Sequence, residues 1–196
     1  MQPLNSEFLI LNSELAAKQP LLLHACCAPC ACALVEHLLG EGVKFVVFFS
    51  NSNIYPRAEY DIRRNELLRL ARESGIEVVE DDYDHEAWLR AVSGLENEPE
   101  RGARCMACFR FRLQRAARFA HRSGFPLLAT TLASSRWKRL DQVNGAGEEA
   151  VAEFEDVRFV ARNWRKGGLQ ERRNQLLRER GFYNQRYCGC EFSIRD

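Results

Sequence analysis

The fold is decided by the stretch Leu21-Leu-Leu-His-Ala-Cys-Cys-Ala-Pro29. Its first five residues form a short, mostly apolar run, which is typical of a buried strand. Pro29 stands where a helix can begin, because proline is favoured in the first helical turn. The sequence therefore predicts a strand, a tight turn at Cys26-Cys27, and a helix from Pro29 to about Leu39.

The alternation of strand and helix continues along the chain. Further strands are predicted at residues 43–50, 76–79, 126–131 and 157–161, and further helices at residues 57–74, 103–123, 137–154 and 169–180. This pattern predicts a single α/β domain with a mostly parallel, Rossmann-like sheet of the HUP or PP-loop kind and helices on both faces. We expect this domain to span residues 21–196, after an N-terminal extension over residues 1–20.

The composition is that of an ordinary globular protein. The 196 residues include 28 Lys and Arg, 27 Asp and Glu, and 46% apolar residues, which excludes disordered, collagen-like and coiled-coil chains. The longest apolar stretch, residues 21–35, is interrupted by His24 and Pro29 and is shorter than the roughly 20 residues of a membrane helix. We also find no secretory signal pattern near Met1, and we expect a cytoplasmic protein without a membrane span.

The net charge of +1 conceals two halves of opposite charge. Residues 1–100 carry 8 basic and 17 acidic side chains, and residues 101–196 carry 20 basic and 10 acidic ones. Seven arginines lie between Arg101 and Arg122 without an acidic residue among them. A second stretch, from Arg158 to Arg186, adds nine basic residues. The two stretches together favour phosphate contacts, although either stretch alone is also typical of a solvated helix face.

Eight cysteines fall in three short segments of the chain. The segments are Cys26-Cys27-Ala-Pro-Cys30-Ala-Cys32, Cys105-Met-Ala-Cys108 and Cys188-Gly-Cys190. A disulfide framework is not favoured, because a chain of this length can build its own core and the clustered spacing suits chelation. Thiolates without a histidine pattern select zinc or an iron-sulfur cluster. Adjacent thiols such as Cys26-Cys27 favour the iron-sulfur cluster, although a zinc site stays possible at this point. Cys32 is interpreted as an inert buried residue.

The predicted topology brings these segments to one edge of the sheet. Cys26-Cys27 follows the first strand and residues 51–56 follow the second, and parallel sheets bind ligands outside the carboxyl ends of their strands. The turn contains neither a glycine-rich phosphate loop nor a Walker lysine, which argues against ATP use. Cys105 and Cys108 stand at a helix start, where the helix dipole favours thiolate. The Cys188–Cys190 tail is expected to fold over the same edge.

Six motifs in this order resemble the epoxyqueuosine reductase QueH family. They are Leu22-Leu-His-Ala-Cys-Cys-Ala-Pro29, Asn53-Ile-Tyr-Pro56 with Glu59-Tyr60 and Arg63, Arg104-Cys-x-x-Cys-Phe-x-x-Arg-Leu113, Thr130-Thr-Leu132, Trp164-Arg-Lys-Gly167, and Tyr187-Cys-Gly-Cys-x-Phe-Ser193. The resemblance runs from Leu21 to Ser193.

The resemblance implies a cobalamin-independent, two-electron reduction of epoxyqueuosine to queuosine at the wobble position of tRNA. It implies a [4Fe-4S] cluster whose ligands, by motif, are Cys26, Cys27, Cys105 and Cys108. Cys188 and Cys190 then form either a redox-active pair that closes a disulfide or, with Cys30 as a third ligand, a site for a second, mononuclear iron. The implied partners are the anticodon stem-loop of tRNA and a low-potential electron donor.

Several other side chains are candidates for substrate contact or proton transfer. The candidates for contact with the substrate or tRNA are Tyr60, Arg63, Arg104, Arg112, Arg165 and Lys166. The candidate acids for the epoxide oxygen are His24, Tyr60 and Tyr187. Two other functions stay open at this point: an iron-sulfur tRNA-thiolation enzyme that activates its base with ATP, and a zinc-stabilised RNA-binding module.

Overall fold

The computed structural model describes residues 19–194 and contains one sheet of five strands. The strands are β1 (Leu21–His24), β2 (Phe45–Phe49), β3 (Val78–Glu80), β4 (Leu127–Thr130) and β5 (Arg158–Phe159). They are hydrogen-bonded in the order β3-β2-β1-β4-β5, and every neighbouring pair is parallel. The central strand β1 is buried along its whole length, as its run of leucines predicts.

Six α-helices connect and follow these strands within the described residues. They are α1 (Ala28–Gly40), α2 (Arg57–Ser74), α3 (His85–Ala91), α4 (Ala103–Arg122), α5 (Leu140–Val151) and α6 (Leu169–Arg180). Helix α1 packs against α2 and α6, and α4 packs against α5. The chain runs from β1 outward through β2 to β3, and then returns to form β4 and β5 on the other side of β1. Because parallel crossovers are right-handed, this reversal places the two groups of helices on opposite faces of the sheet. The predicted parallel α/β fold is confirmed.

The largest differences between the predicted and the observed elements lie at three places. Helix α3 was not predicted, because it has only seven residues; it begins after Asp84, whose carboxylate accepts a hydrogen bond from the Ala87 N–H at 2.9 Å. The helix predicted from residue 137 starts at Leu140, since residues 135–139 form a loop and Arg139 is extended. Strand β5 is shortened to two residues.

The register of the strands aligns their carboxyl ends. His24 at the end of β1 lies opposite Phe48 of β2 and Thr130 of β4. The segments that follow these three strands therefore meet at one edge of the sheet, where a Rossmann-like fold binds its ligand.

Two sequence-based expectations concern the ends of the chain and membranes. The predicted N-terminal extension lies almost wholly outside the described residues, which begin at residue 19. Within residues 19–194, no helix combines the length and the apolar composition that a bilayer crossing requires.

Candidate functional site

Three cysteines converge at the turn between β1 and α1. Cys27 is extended and precedes the helix, and the first helical turn brings Cys30 back beside Cys26 and Cys27. The Sγ atoms of the three residues all lie within 4.8 Å of one another, and those of Cys26 and Cys27 are 3.7 Å apart. Among residues 19–194, no other group of three histidine, cysteine or acidic side chains is this close. These three buried thiols could hold a metal ion.

Hydrogen bonds and nearby cations stabilise a thiolate in this turn. The pKa of Cys26 lies well below its ordinary value, because the thiols of Cys27 and Cys30 hydrogen-bond to its sulfur and the charges of Lys138 and Arg112 act in the same direction. The same hydrogen bonds raise the pKa of Cys27 well above its ordinary value. The turn therefore favours one thiolate, with its negative charge at Cys26, even without a metal ion.

The other four cysteines of the motifs line one cavity that is open to solvent. Cys105 and Cys108 project into it from the first turns of α4, and Cys188 and Cys190 reach it from the C-terminal tail. Cys108 and Cys190 are buried and pack with Trp88 of α3. The structure thus places the Cys105/Cys108 pair beside the tail pair, and Cys30 beside Cys26 and Cys27. All eight cysteines are free thiols.

Lys138 connects the two cysteine groups electrostatically. Its side chain lines the cavity, and its charge interacts favourably with Cys188, Cys26 and Cys30. Burial alone would lower the pKa of Lys138, but the three thiols outweigh burial and raise it. Cysteines of both groups therefore favour the charged form of Lys138, which lines the cavity beside Cys188.

Burial has the largest influence on the pKa of the two cysteines on α4. It raises the pKa of both the Cys105 and the Cys108 thiol. The net pKa shift is therefore opposite to the one expected at a helix start, although Arg104 lowers the pKa of Cys105 as expected. Desolvation outweighs the dipole because Cys108 is buried and Cys105 is half-buried.

The C-terminal tail is held over the strand edge by Arg63 of α2. The Arg63 guanidinium donates to the carbonyl of Cys188 at 3.0 Å and to that of Tyr187 at 3.1 Å, and it pairs with Glu59. The N–H of Tyr55 donates to the carbonyl of Gly189 at 2.8 Å. The prediction that the tail folds back over the cysteine edge is confirmed.

The backbone conformation between the two tail cysteines explains why a glycine stands there. Gly189 has a φ of +115°, which side-chain-bearing residues rarely adopt. A Cβ atom at this position would lie 3.0 Å from Arg63 Nη1 and 3.0 Å from Ile54 Cγ1. Gly189 therefore lets Cys188 and Cys190 turn toward the cavity while the backbone between them approaches α2 closely.

The three candidate acids lie outside the cavity lining. His24 is fully buried between Thr130 Oγ1 at 2.8 Å and the carbonyl of Ser50 at 3.1 Å, and burial lowers its pKa to about 3. The Tyr187 hydroxyl donates to a backbone carbonyl, and burial raises its pKa to about 12. Burial likewise raises the pKa of Tyr60. These contacts are those of packing residues, and the roles of the three in proton transfer stay predictions.

The predicted substrate-contact residues fall into two classes. Arg63, Arg104 and Arg112 are buried, and the latter two line the cavity. Arg112 donates to Asn51 through Nη2, whereas its buried Nε has no partner among residues 19–194. Within the same described region, Arg104 donates to the carbonyls of Glu96 and Phe192.

The remaining predicted contacts, Arg165 and Lys166, lie nearer the surface. Arg165 is half-buried and bonds to Asn163 at 3.0 Å, and Lys166 is exposed. Their contacts with tRNA stay predictions.

Sequence reasoning missed Lys138 and Trp137 as residues of the site. Both lie in the segment that follows β4, so they reach the same strand edge as the cysteines. The rule that ligands bind beyond strand ends would have identified them, because β4 adjoins β1. The sequence gives no order of strands, however, and β4 could not be placed beside β1 in advance.

Comparisons with known proteins identify the family of this chain. The family model for Epoxyqueuosine reductase QueH matches residues 21–196. The chain belongs to this family. It is 44% identical over 176 residues to the Epoxyqueuosine reductase QueH of Histophilus somni, an alignment that covers 90% of this chain and 72% of the relative. For the QueH proteins of Acinetobacter baylyi and Thermotoga maritima the identities are 43% and 35%, covering 90% and 88% of this chain and 81% and 89% of those relatives. The QueH family is the one that the six sequence motifs indicated.

Proposed function

We propose that the chain is an epoxyqueuosine reductase that acts on tRNA and uses metal-bound thiolates to deliver electrons. The observation that carries the proposal is the meeting of seven cysteines at the ligand-binding edge of the sheet in a QueH-family chain. The two C–O bonds of the epoxide break, a C=C bond forms, and the oxygen leaves as water. This reaction consumes two electrons and two protons. The substrate places the enzyme in the cytoplasm.

The donor set suits an iron-sulfur cluster. Cys26, Cys27, Cys105 and Cys108 are the proposed ligands of a [4Fe-4S] cluster, which supplies electrons one at a time when bound. Both pairs face the positive charge of Arg112, which favours the charged form of Cys26 and of Cys108. The unpartnered Nε of Arg112 is available to hydrogen-bond an anionic group in this position.

The remaining cysteines form the proposed second redox element. Cys188 and Cys190 line the cavity and are held by Arg63 through the carbonyl of Cys188. They act either as a dithiol that is oxidised to a disulfide, releasing two electrons, or with Cys30 as ligands of a second iron. The position of Cys30 against Cys26 supports a metal at the turn.

The cationic side chains of the cavity have a binding role. Arg104 and Arg112 lie within it and are available to contact the phosphate or sugar groups of the wobble nucleotide. Arg165 and Lys166 are the proposed contacts with the stem-loop outside it. A tRNA-thiolation enzyme that uses ATP is not favoured, because cysteines fill the turn that a phosphate loop would need. A zinc-stabilised RNA-binding module is not favoured either, because it would not require the Cys188–Cys190 tail.

The proposal is tested with anaerobically reconstituted protein, epoxyqueuosine-containing tRNA and a strong chemical reductant. Mass spectrometry of the nucleosides should show queuosine with the wild type. The variant Cys188→Ala should keep the cluster absorbance of the wild type nearly intact but lose turnover. Loss of the cluster in Cys188→Ala would make Cys188 a ligand and contradict the division of roles; stoichiometric zinc without iron in the wild type would contradict the proposed chemistry.

A further inference from the structure

The loop between the 3-10 turn and α5, Ser135–Arg139, forms part of the rim of the cavity and is called the rim loop. It carries an exposed tryptophan: Trp137 is 67% exposed, whereas Trp88 and Trp164 are 0% and 2% exposed. Single exposed hydrophobic residues are common on protein surfaces. Trp137 differs because it also lines the cavity that contains four of the cysteines.

Several contacts fix Trp137 at this position. The carbonyl of Trp137 accepts a hydrogen bond from Arg101 Nε at 3.1 Å, and its N–H donates to Ser135 Oγ at 3.3 Å. The N–H of Lys138 donates to the carbonyl of Ser135 at 3.2 Å. The guanidinium of Arg136 lies 4.8 Å from the centroid of the Trp137 ring, a cation–π contact. The indole is thus presented at the cavity mouth by a supported loop.

The charge around the rim loop identifies the chemistry of its partner. The cavity lining has one carboxylate, Glu100, and five cationic side chains: Arg101, Arg104, Arg112, Lys138 and Arg139. An aromatic ring among cations suits a single-stranded nucleic acid, whose bases stack on aromatic faces while its phosphates meet positive charge. The same excess of positive charge disfavours a basic protein surface as the partner.

The neighbouring residue ties this surface to the cysteine site. Lys138 follows Trp137 in the chain, and its charge acts on Cys26, Cys30 and Cys188. A base on the indole would therefore lie at the mouth of the cavity that contains Cys105, Cys108, Cys188 and Cys190. We propose that Trp137, with Arg136, stacks an unpaired base next to the nucleotide that enters the cavity. The inference rests on the proposed function, and it names Trp137 as a positioning residue for the RNA substrate.

The test measures RNA binding by reconstituted protein. The probe is an anticodon stem-loop RNA that carries epoxyqueuosine, titrated against the wild type, Trp137→Ala and Trp137→Phe. Loss of one base–aromatic stack should raise the Kd of Trp137→Ala roughly 5- to 150-fold, and the phenyl ring of Trp137→Phe should recover most of this loss. The matched control is Leu39→Ala, because Leu39 is 43% exposed and lies at the far end of α1 from Cys27; its Kd should equal that of the wild type.

Tryptophan fluorescence gives a second readout that a change of stability would not produce. Because the other two tryptophans are buried, a base stacked on Trp137 should quench the exposed indole, and the RNA-dependent quenching should disappear in Trp137→Phe. The inference is overturned if Trp137→Ala binds the RNA as tightly as the wild type, or if the wild type shows neither binding nor quenching. Whether the wild type reduces the epoxide is measured separately, so failure of the proposed function is distinguishable from failure of this inference.

Discussion

Replacement of Arg63 by methionine should destabilise the protein and release its C-terminal tail. The Arg63 and Glu59 side chains are 2% and 9% exposed, and their nearest charged atoms are 2.7 Å apart. Removing one member of a buried ion pair costs about 3–5 kcal/mol; here the Glu59 carboxylate would lose its cation and keep only the hydrogen bond from the Tyr183 hydroxyl at 2.8 Å. For a chain of this size each kcal/mol lowers the Tm by about 2–4 °C, so the expected decrease is roughly 6–20 °C.

Two measurements check this prediction. Thermal unfolding monitored by circular dichroism gives the change in Tm, and mass spectrometry after brief alkylation gives the reactivity of Cys190, which is buried in the wild type. Cys190 should react faster in Arg63→Met, because the variant lacks the hydrogen bonds to the carbonyls of Tyr187 and Cys188. Adding Glu59→Gln to Arg63→Met should restore part of the Tm, since it removes the unpaired carboxylate.

The matched control is Arg57→Met on the same helix. Arg57 pairs with Asp61 at the same spacing and at 3.0 Å, but the two side chains are 63% and 45% exposed. Exposed pairs of this kind contribute at most about 1 kcal/mol, so the Tm should fall by no more than about 4 °C. The reasoning is refuted if Arg63→Met unfolds at the temperature of the wild type, keeps Cys190 protected, and differs only in RNA affinity. That result would make Arg63 a direct contact with tRNA.

Two further predictions concern Gly189 in the tail and Asp81, the residue that follows β3. Gly189→Ala should lose most turnover while the Tm changes little, because the positive φ and the 3.0 Å approaches to Arg63 and Ile54 would displace the tail locally; wild-type turnover would contradict this. Burial alone would raise the pKa of Asp81, but hydrogen bonds from Arg115 and Ser50 outweigh it and lower the pKa. The stability from Asp81 is therefore present above about pH 4 and lost as the pH falls through the lowered pKa. Urea unfolding should show a weaker acid dependence below about pH 4 in Asp81→Asn, and an unchanged dependence would contradict this assignment.

The parallel sheet could be predicted from the sequence because local signals agree along most of the chain. Apolar runs such as Leu21–Ala25, followed by periodic helices, determine strands and helices without tertiary information. Helix α3 lacks such a signal, because its seven residues depend on the Asp84 cap and on burial of Trp88. The helix predicted from Trp137 is too long at its start, because residues 135–139 form a loop in which Trp137, Lys138 and Arg139 line the cavity.

The sequence predicts which cysteines belong to the candidate site, but not how these cysteines are grouped in space. Cysteine spacing identified the three segments, and the strand-end rule placed them at one edge. The grouping of Cys30 with Cys26 depends on the path of the chain from Cys27 into α1. The burial of Arg63 depends on a tail more than 120 residues away in sequence. Long-range packing of this kind leaves no local signature, so Arg63 could be recognised as a functional candidate but not as a tail anchor.

The most direct test of the account is a single-turnover experiment with pre-reduced protein. Reconstituted wild type is reduced, freed of excess reductant under anaerobic conditions, and mixed with epoxyqueuosine-containing tRNA, and the cluster absorbance and the wobble nucleoside are followed together. The account predicts that queuosine forms, with loss of the epoxide oxygen, as the centre is oxidised. An epoxide that persists while the centre stays reduced would contradict the claim that the cysteine-bound centre of this chain reduces epoxyqueuosine.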